Sequence, residues 1–157
     1  MQAVSYYREY YEEKGMFENE VYPGIKELLR DLTKQGVLCL VATSKPEIYA
    51  KKILDYYELS NYFYYIAGAN MDGTRTDKAE VIAYALKQIP AEYSNKKVLM
   101  VGDRSHDIIG AKKNGIDCAG VLFGYGSREE LEEAGADFIA DSVEAVRNIV
   151  FLNAAKN

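Results

Sequence analysis

Two carboxylates stand four residues apart in Gly102-Asp103-Arg104-Ser105-His106-Asp107, directly after the apolar run Val98–Gly102. Carboxylates that bracket a strand-to-helix turn can meet a single hard cation such as Mg²⁺. The same residues also suit plainer tasks, Asp107 facing the helix dipole and Asp103 closing an Asx-type turn. A second apolar run ends in Thr43-Ser44, at the mouth of a helix whose unpaired N–H groups could cradle a phosphate, and Ser44 could equally cap that helix. Lys78 opens a further helix, where its charge opposes the dipole. A phosphate at the strand ends would account for it, and so would a solvated surface position. His106 is the only histidine; beside two better oxygen ligands it reads as a group behind the ligands or facing solvent.

These residues need elements to hold them. Val37–Thr43, Phe63–Ala69, Val98–Gly102, Cys118–Leu122 and Phe138–Ala140 are short apolar runs rich in β-branched residues, as expected of strands buried on both faces. Between them lie segments at helical spacing. Ile25, Leu28, Leu29 and Leu32 follow Pro23-Gly24 and stop at Gly36. Ser44-Lys45-Pro46-Glu47 reads as a cap, a first-turn proline and a capping-box glutamate ahead of Ile48, Ile53 and Leu54. Asp77 and Glu80 cap a helix through Val81, Ile82, Ala85 and Leu86; Ile108 to Ala111 leads to Gly115; Ser127-Arg128-Glu129-Glu130 opens a short helix ending at Gly135; Asp141 or Ser142 opens the last. The alternation predicts an α/β fold, a parallel sheet with helices on both faces. Ligands of such sheets sit beyond the carboxyl ends of the strands, where Thr43, Ser44 and Asp103 fall. Met1–Lys14 is charged, rich in tyrosine and helix-compatible, yet has no cap before it.

Composition narrows the function. The 157 residues suit one domain; 48% are hydrophobic and 27% charged, with a net charge of −5. That balance argues against a sequence-independent nucleic-acid binder, which needs a basic face. No apolar run reaches the length of a membrane span, and no leader pattern opens the sequence, so the expected address is the cytoplasm and no membrane partner is expected. Cys39 and Cys118 lie in apolar runs and read as buried thiols of a reducing compartment. The 14 tyrosines, with no tryptophan, suit half-buried positions better than a base-stacking platform, which would want interleaved basic residues.

Several strings in order resemble the haloacid dehalogenase-like (HAD) phosphohydrolases, in particular their phosphoglycolate-phosphatase-like branch: Tyr22-Pro23-Gly24-Ile25, then Leu40-Val41-Ala42-Thr43-Ser44-Lys45-Pro46, Asp72-Gly73-Thr74-Arg75 ahead of Lys78, Val101-Gly102-Asp103-Arg104-Ser105-His106-Asp107-Ile108, and Gly124-Tyr125-Gly126-Ser127. The resemblance implies a Rossmann-like HAD core. It implies that Thr43, helped by Ser44, binds the substrate phosphate and that Lys78 neutralises charge there. It also implies that Asp103 and Asp107 hold Mg²⁺ directly or through water. Phosphoryl transfer chiefly needs such preorganised charge.

The family's first strand ends in D-x-D-G-T, whose first Asp is the nucleophile, and it lies in the middle of the sheet. No such string stands ahead of Tyr22. Asn70-Met71-Asp72-Gly73-Thr74 mimics it, but an amide cannot form the acyl phosphate, and the string reads as a loop. The expectation is therefore a core over 22–157 without its central first strand, preceded in 1–21 by the remnant of a helical cap and hinge. The function implied is the C-terminal portion of a Mg²⁺-dependent phosphatase acting on a small phosphorylated metabolite, such as 2-phosphoglycolate, and inactive as these residues alone. The rival is a non-catalytic phosphate- and Mg²⁺-binding or regulatory module that self-associates as a homo-oligomer through exposed strand edges.

Overall fold

The computed structural model describes residues 3–6 and 22–155. Six strands form a single parallel sheet: β1 (Ala3–Tyr6), β2 (Leu38–Pro46), β3 (Tyr65–Ala69), β4 (Val98–Gly102), β5 (Asp117–Val121) and β6 (Phe138–Ala140), in the order β3-β2-β1-β4-β5-β6. The helices are α1 (Ile25–Lys34), α2 (Glu47–Tyr56), α3 (Lys78–Lys87), α4 (Ser105–Lys113), α5 (Arg128–Ala134) and α6 (Val143–Ala155). Successive strand residues point to opposite faces, and both faces are apolar. Cys39 and Val41 pack with Leu28, Leu29 and Leu32 of α1 and Val146 and Val150 of α6. Leu40, Ala42 and Met100 pack with Val81 and Ile82 of α3, Ile108 of α4 and Leu131 of α5. This is the parallel sheet covered on both faces that the apolar runs predict. Among the described residues no helix is long and apolar enough to cross a membrane.

The centre of the sheet departs from expectation. Ala3–Tyr6 is extended, where the sequence reads as the tail of a cap helix, and it occupies the central place that the resemblance gives to the D-x-D-G-T strand. It pairs in parallel with β2 (Val4 opposite Cys39) and with β4 (Tyr6 opposite Val101). A position flanked by two strands offers backbone partners on both sides, and an extended segment satisfies them. The segment Ala3-Val4-Ser5-Tyr6 contains no carboxylate. The rest of the expected cap remnant and hinge, 7–21, lies outside the described residues.

Several caps form as expected. Asp77 accepts from the Ala79 amide at 3.1 Å, Ser127 from Glu130 at 3.1 Å and Ser142 from Ala145 at 3.0 Å. The start of α2 does not. β2 continues to Pro46, which itself stands at the N-cap position without a side-chain cap bond. A residue before proline is driven out of the helical region, so Lys45 stays extended and Ser44 falls two residues short of a capping position. Glu47, expected to close a local capping box, instead accepts from the Gly68 amide of β3 at 3.2 Å.

Candidate phosphate and cation site

The sequence-derived residues collect at the carboxyl ends of β2 and β4. Thr43 is buried near the end of β2, where its Oγ1 accepts from the Lys45 amide at 3.1 Å. That bond fixes the oxygen and leaves the hydroxyl proton to donate. Ser44, the next residue along, is half-buried. Lys78 is 3% exposed, so it is not the solvated surface lysine its position could have meant. Its Nζ lies 2.6 Å from Asp107 Oδ1 and 3.4 Å from the carbonyl oxygen of Ala42, the residue before Thr43. One ammonium group thus links the end of β2 to the first turn of α4.

Asp107 has no exposed surface. Its Oδ1 receives Lys78, and its Oδ2 accepts from the amides of Asp103 and Arg104, each at 3.1 Å. A carboxylate bound this way fixes the β4–α4 turn as well as the lysine. Asp103, 5% exposed, accepts on Oδ2 from the Tyr125 amide at 2.9 Å, and its carbonyl accepts from the Gly126 amide at 2.9 Å. Two glycines make that approach possible. A Cβ on Gly124 would lie 2.5 Å from Asp103 Oδ2, and one on Gly126 would lie 2.2 Å from the Asp103 carbonyl oxygen. His106 is half-buried, its Nε2 4.0 Å from Asp107 Oδ1, so it stands at the edge of the buried set.

Buried Asp103 and Asp107 against Lys78 leave one net negative charge, which favours a cation. The donors are hard carboxylate oxygens, the chemistry Mg²⁺ takes. A Cβ on Gly102 would reach 2.5 Å from Asp107 Oδ2, so backbone space is reserved around both carboxylates. The donor type fits, and the set is partial. Among the described residues no third His, Cys, Asp or Glu joins to complete a metal-binding group. Asp107, with both oxygens already engaged, suits contact through water, and Asp103 suits direct contact.

Two partners of the site were not legible as such. Glu130, read only as part of the stretch that opens α5, sends Oε2 to the Ser105 amide (2.7 Å) and to Arg104 Nε (2.9 Å). Those two bonds, the amide first, hold its carboxyl below the usual carboxylate range. Arg75 donates from Nε to the Gly68 carbonyl at 2.9 Å, lies 3.7 Å from the Tyr84 ring centroid and approaches Glu47 at 3.8 Å. It ties the loop before Lys78 to the start of α2. The mimic string 70–74 is a loop, as expected: Asp72 Oδ1 accepts from the amide and hydroxyl of Thr74, and Gly73 has φ 86°.

A family model described as haloacid dehalogenase-like hydrolase matches residues 2–121. The chain belongs to this family. Its relatives include a 5′-nucleotidase of Pseudomonas aeruginosa, 39% identical over 151 residues, which are 95% of this chain and 66% of that protein. Tyrosine-protein kinase PtkA of Mycobacterium tuberculosis is 39% identical over 138 residues, 88% of this chain and 47% of its own length. A phosphoglycolate phosphatase of Vibrio vulnificus is 28% identical over 153 residues, 98% of this chain and 66% of its own. The chain therefore spans between about half and two thirds of these relatives. The crystal structure of a "predicted phosphatase" from Clostridium acetobutylicum superposes with a TM-score of 0.81 at 43% identity, covering 89% of this chain and 64% of the other. The HAD core and its Rossmann-like architecture, expected from the strings, are thereby shown.

Proposed function

We propose that this chain supplies the phosphate- and cation-handling part of a HAD phosphomonoesterase acting on a small phosphorylated metabolite. The observation that carries the reading is the buried Lys78, held between the Ala42 carbonyl and Asp107 beside Thr43 and Asp103. A buried ammonium, a positioned hydroxyl and two buried carboxylates at the strand ends answer the charge problem of phosphoryl transfer. Thr43 donates its hydroxyl to a phosphate oxygen, with Ser44 beside it. Lys78 places its positive charge against the phosphate, and Asp103 and Asp107 would hold a magnesium ion. That ion, when bound, neutralises developing charge on the phosphoryl oxygens. The printed activities of the relatives, a 5′-nucleotidase and a phosphoglycolate phosphatase, support a phosphomonoester as substrate. Two buried free thiols, Cys39 and Cys118, support a reducing compartment such as the cytoplasm.

These 157 residues hold no D-x-D-G-T string, so we expect binding without aspartyl-phosphate turnover. That absence also favours the second reading, a phosphate- and Mg²⁺-binding module that acts by association. Calorimetry of the chain with Mg²⁺ and inorganic phosphate, beside hydrolysis of p-nitrophenyl phosphate, tests both. Expected are Mg²⁺ binding that Asp103→Asn removes and no hydrolysis above that variant's background. Steady Mg²⁺-dependent hydrolysis lost in Asp103→Asn would overturn the inactivity, and failure to bind Mg²⁺ would overturn the site. Light scattering that shows a ligand-dependent oligomer would favour the module.

A further inference from the structure

We infer that Glu130 is a positioning residue for the Asp103–Asp107 turn, holding the Arg104 guanidinium away from the carboxylates and so setting their affinity for a divalent cation. The inference rests on the cation reading above and deepens it. Arg104 sits between the two acidic residues in sequence, and its charge competes with any cation for them. Glu130, on the neighbouring α5, takes Arg104 Nε at 2.9 Å on the same Oε2 that accepts the Ser105 amide at 2.7 Å. The Arg104–Glu130 pair is about one-third exposed (36% and 28%), so its charges are only partly screened.

The grip is continuous along the turn. From the β5–α5 side, the Tyr125 amide reaches Asp103 Oδ2, the Gly126 amide reaches the Asp103 carbonyl, and Glu130 takes Arg104 and Ser105. From inside the turn, Asp107 takes the amides of Asp103 and Arg104. The amides of residues 103, 104 and 105 all point at carboxylates, two at Asp107 and one at Glu130. Glu130 therefore sets both where the turn's third amide lies and where its cationic side chain goes. Partners behind metal ligands commonly change affinity by about 10- to 100-fold when removed.

The experiment is a titration with Mn²⁺ as the probe, followed by the electron-spin resonance of free Mn²⁺, on the wild-type chain, Glu130→Ala, Arg104→Ala and the double variant, with urea unfolding of each. Expected is a loss of Mn²⁺ affinity of about tenfold or more in Glu130→Ala, no loss in Arg104→Ala, and recovery to near the wild-type value in the double variant. A role in folding alone would shift the urea midpoints and leave the affinity of the folded protein unchanged. Glu130→Ala within twofold of wild type, or a double variant as weak as Glu130→Ala, would overturn the inference and leave the cation site standing. If Glu130→Ala does not fold, Glu130→Gln takes its place. The Gln can still accept both bonds but lacks the charge, and at least a threefold loss is expected of it. A wild-type chain that binds no Mn²⁺ would overturn both this inference and the cation reading.

Discussion

Asp107→Asn would remove the carboxylate that the buried Lys78 ammonium meets. The two side chains are 2% and 0% exposed and meet at 2.6 Å. The asparagine can still accept the amides of Asp103 and Arg104 through its oxygen, but that turns its NH₂ toward Nζ, donor against donor. Removing one member of a buried pair costs about 3–5 kcal/mol, because the remaining charge loses its closest opposite charge in low dielectric. For a chain of this size that corresponds to a fall in Tm of roughly 6–20 °C. Urea unfolding followed by far-ultraviolet circular dichroism measures it, with Glu132→Gln as the control. That residue pairs with Arg128 at 3.6 Å with both side chains 56% exposed, and its loss should stay below about 1 kcal/mol. Lys78→Met alone strands Asp107 in the same way, so the double variant Lys78→Met/Asp107→Asn should lose less than the sum of the single losses. A loss below about 1 kcal/mol in Asp107→Asn, or strict additivity in the double variant, would refute the claim that these charges hold one another in place.

Other outcomes follow from the same geometry. Gly124→Ala puts a methyl 2.3 Å from Asp103 Cβ; it should cost about 1–3 kcal/mol and weaken Mg²⁺ binding, read by unfolding and calorimetry. Cys39 and Cys118 are 2% and 0% exposed, and burial raises their thiols to about 12 and about 11. A thiol reagent at pH 8 should label neither in the native chain and both in urea; fast native labelling would contradict their placement. The Tyr65 phenol, bonded to the Tyr84 hydroxyl at 2.8 Å, is raised to about 12, chiefly by that bond and then by desolvation. The unfolded phenol ionises near 10.0. The stabilisation is therefore complete below pH 10 and lost as pH rises toward 12. Tyr65→Phe should flatten that decline in stability and remove one late-titrating phenol from the absorbance at 295 nm.

What the sequence made legible were features that depend on near neighbours. Apolar runs located β2 to β6, and Asp77, Ser127 and Ser142 cap their helices because a cap reaches only two or three residues along the chain. Thr43 and Asp103 were expected near one another because βα units place strand ends together, and Lys78 joined them through the resemblance. Ser44 was misplaced as a cap because Pro46 keeps Lys45 extended, a local rule that outweighed the usual capping preference. Glu47 reads as a capping-box residue and Glu130 as part of the opening of α5. Their carboxylates were taken instead by amides 21 and 25 positions away, at Gly68 and Ser105, which no spacing pattern reports. β1 is four residues long, with no flanking turn signal to mark it. A segment that short becomes a strand through its two neighbours and not through its own pattern.

The two sets of site residues also fall on either side of one point in the sequence. Thr43, Ser44 and Lys78 come before the exposed residues Ser94 and Asn95, while Asp103 and Asp107 come after them. A chain cut there would give one piece bearing Thr43, Ser44 and Lys78 and another bearing the two carboxylates. The Lys78–Asp107 bond would then join two molecules, and Asp107 would be paired only where both pieces had met. Cation binding by such a pair would report reassembly, with the lysine serving as the latch.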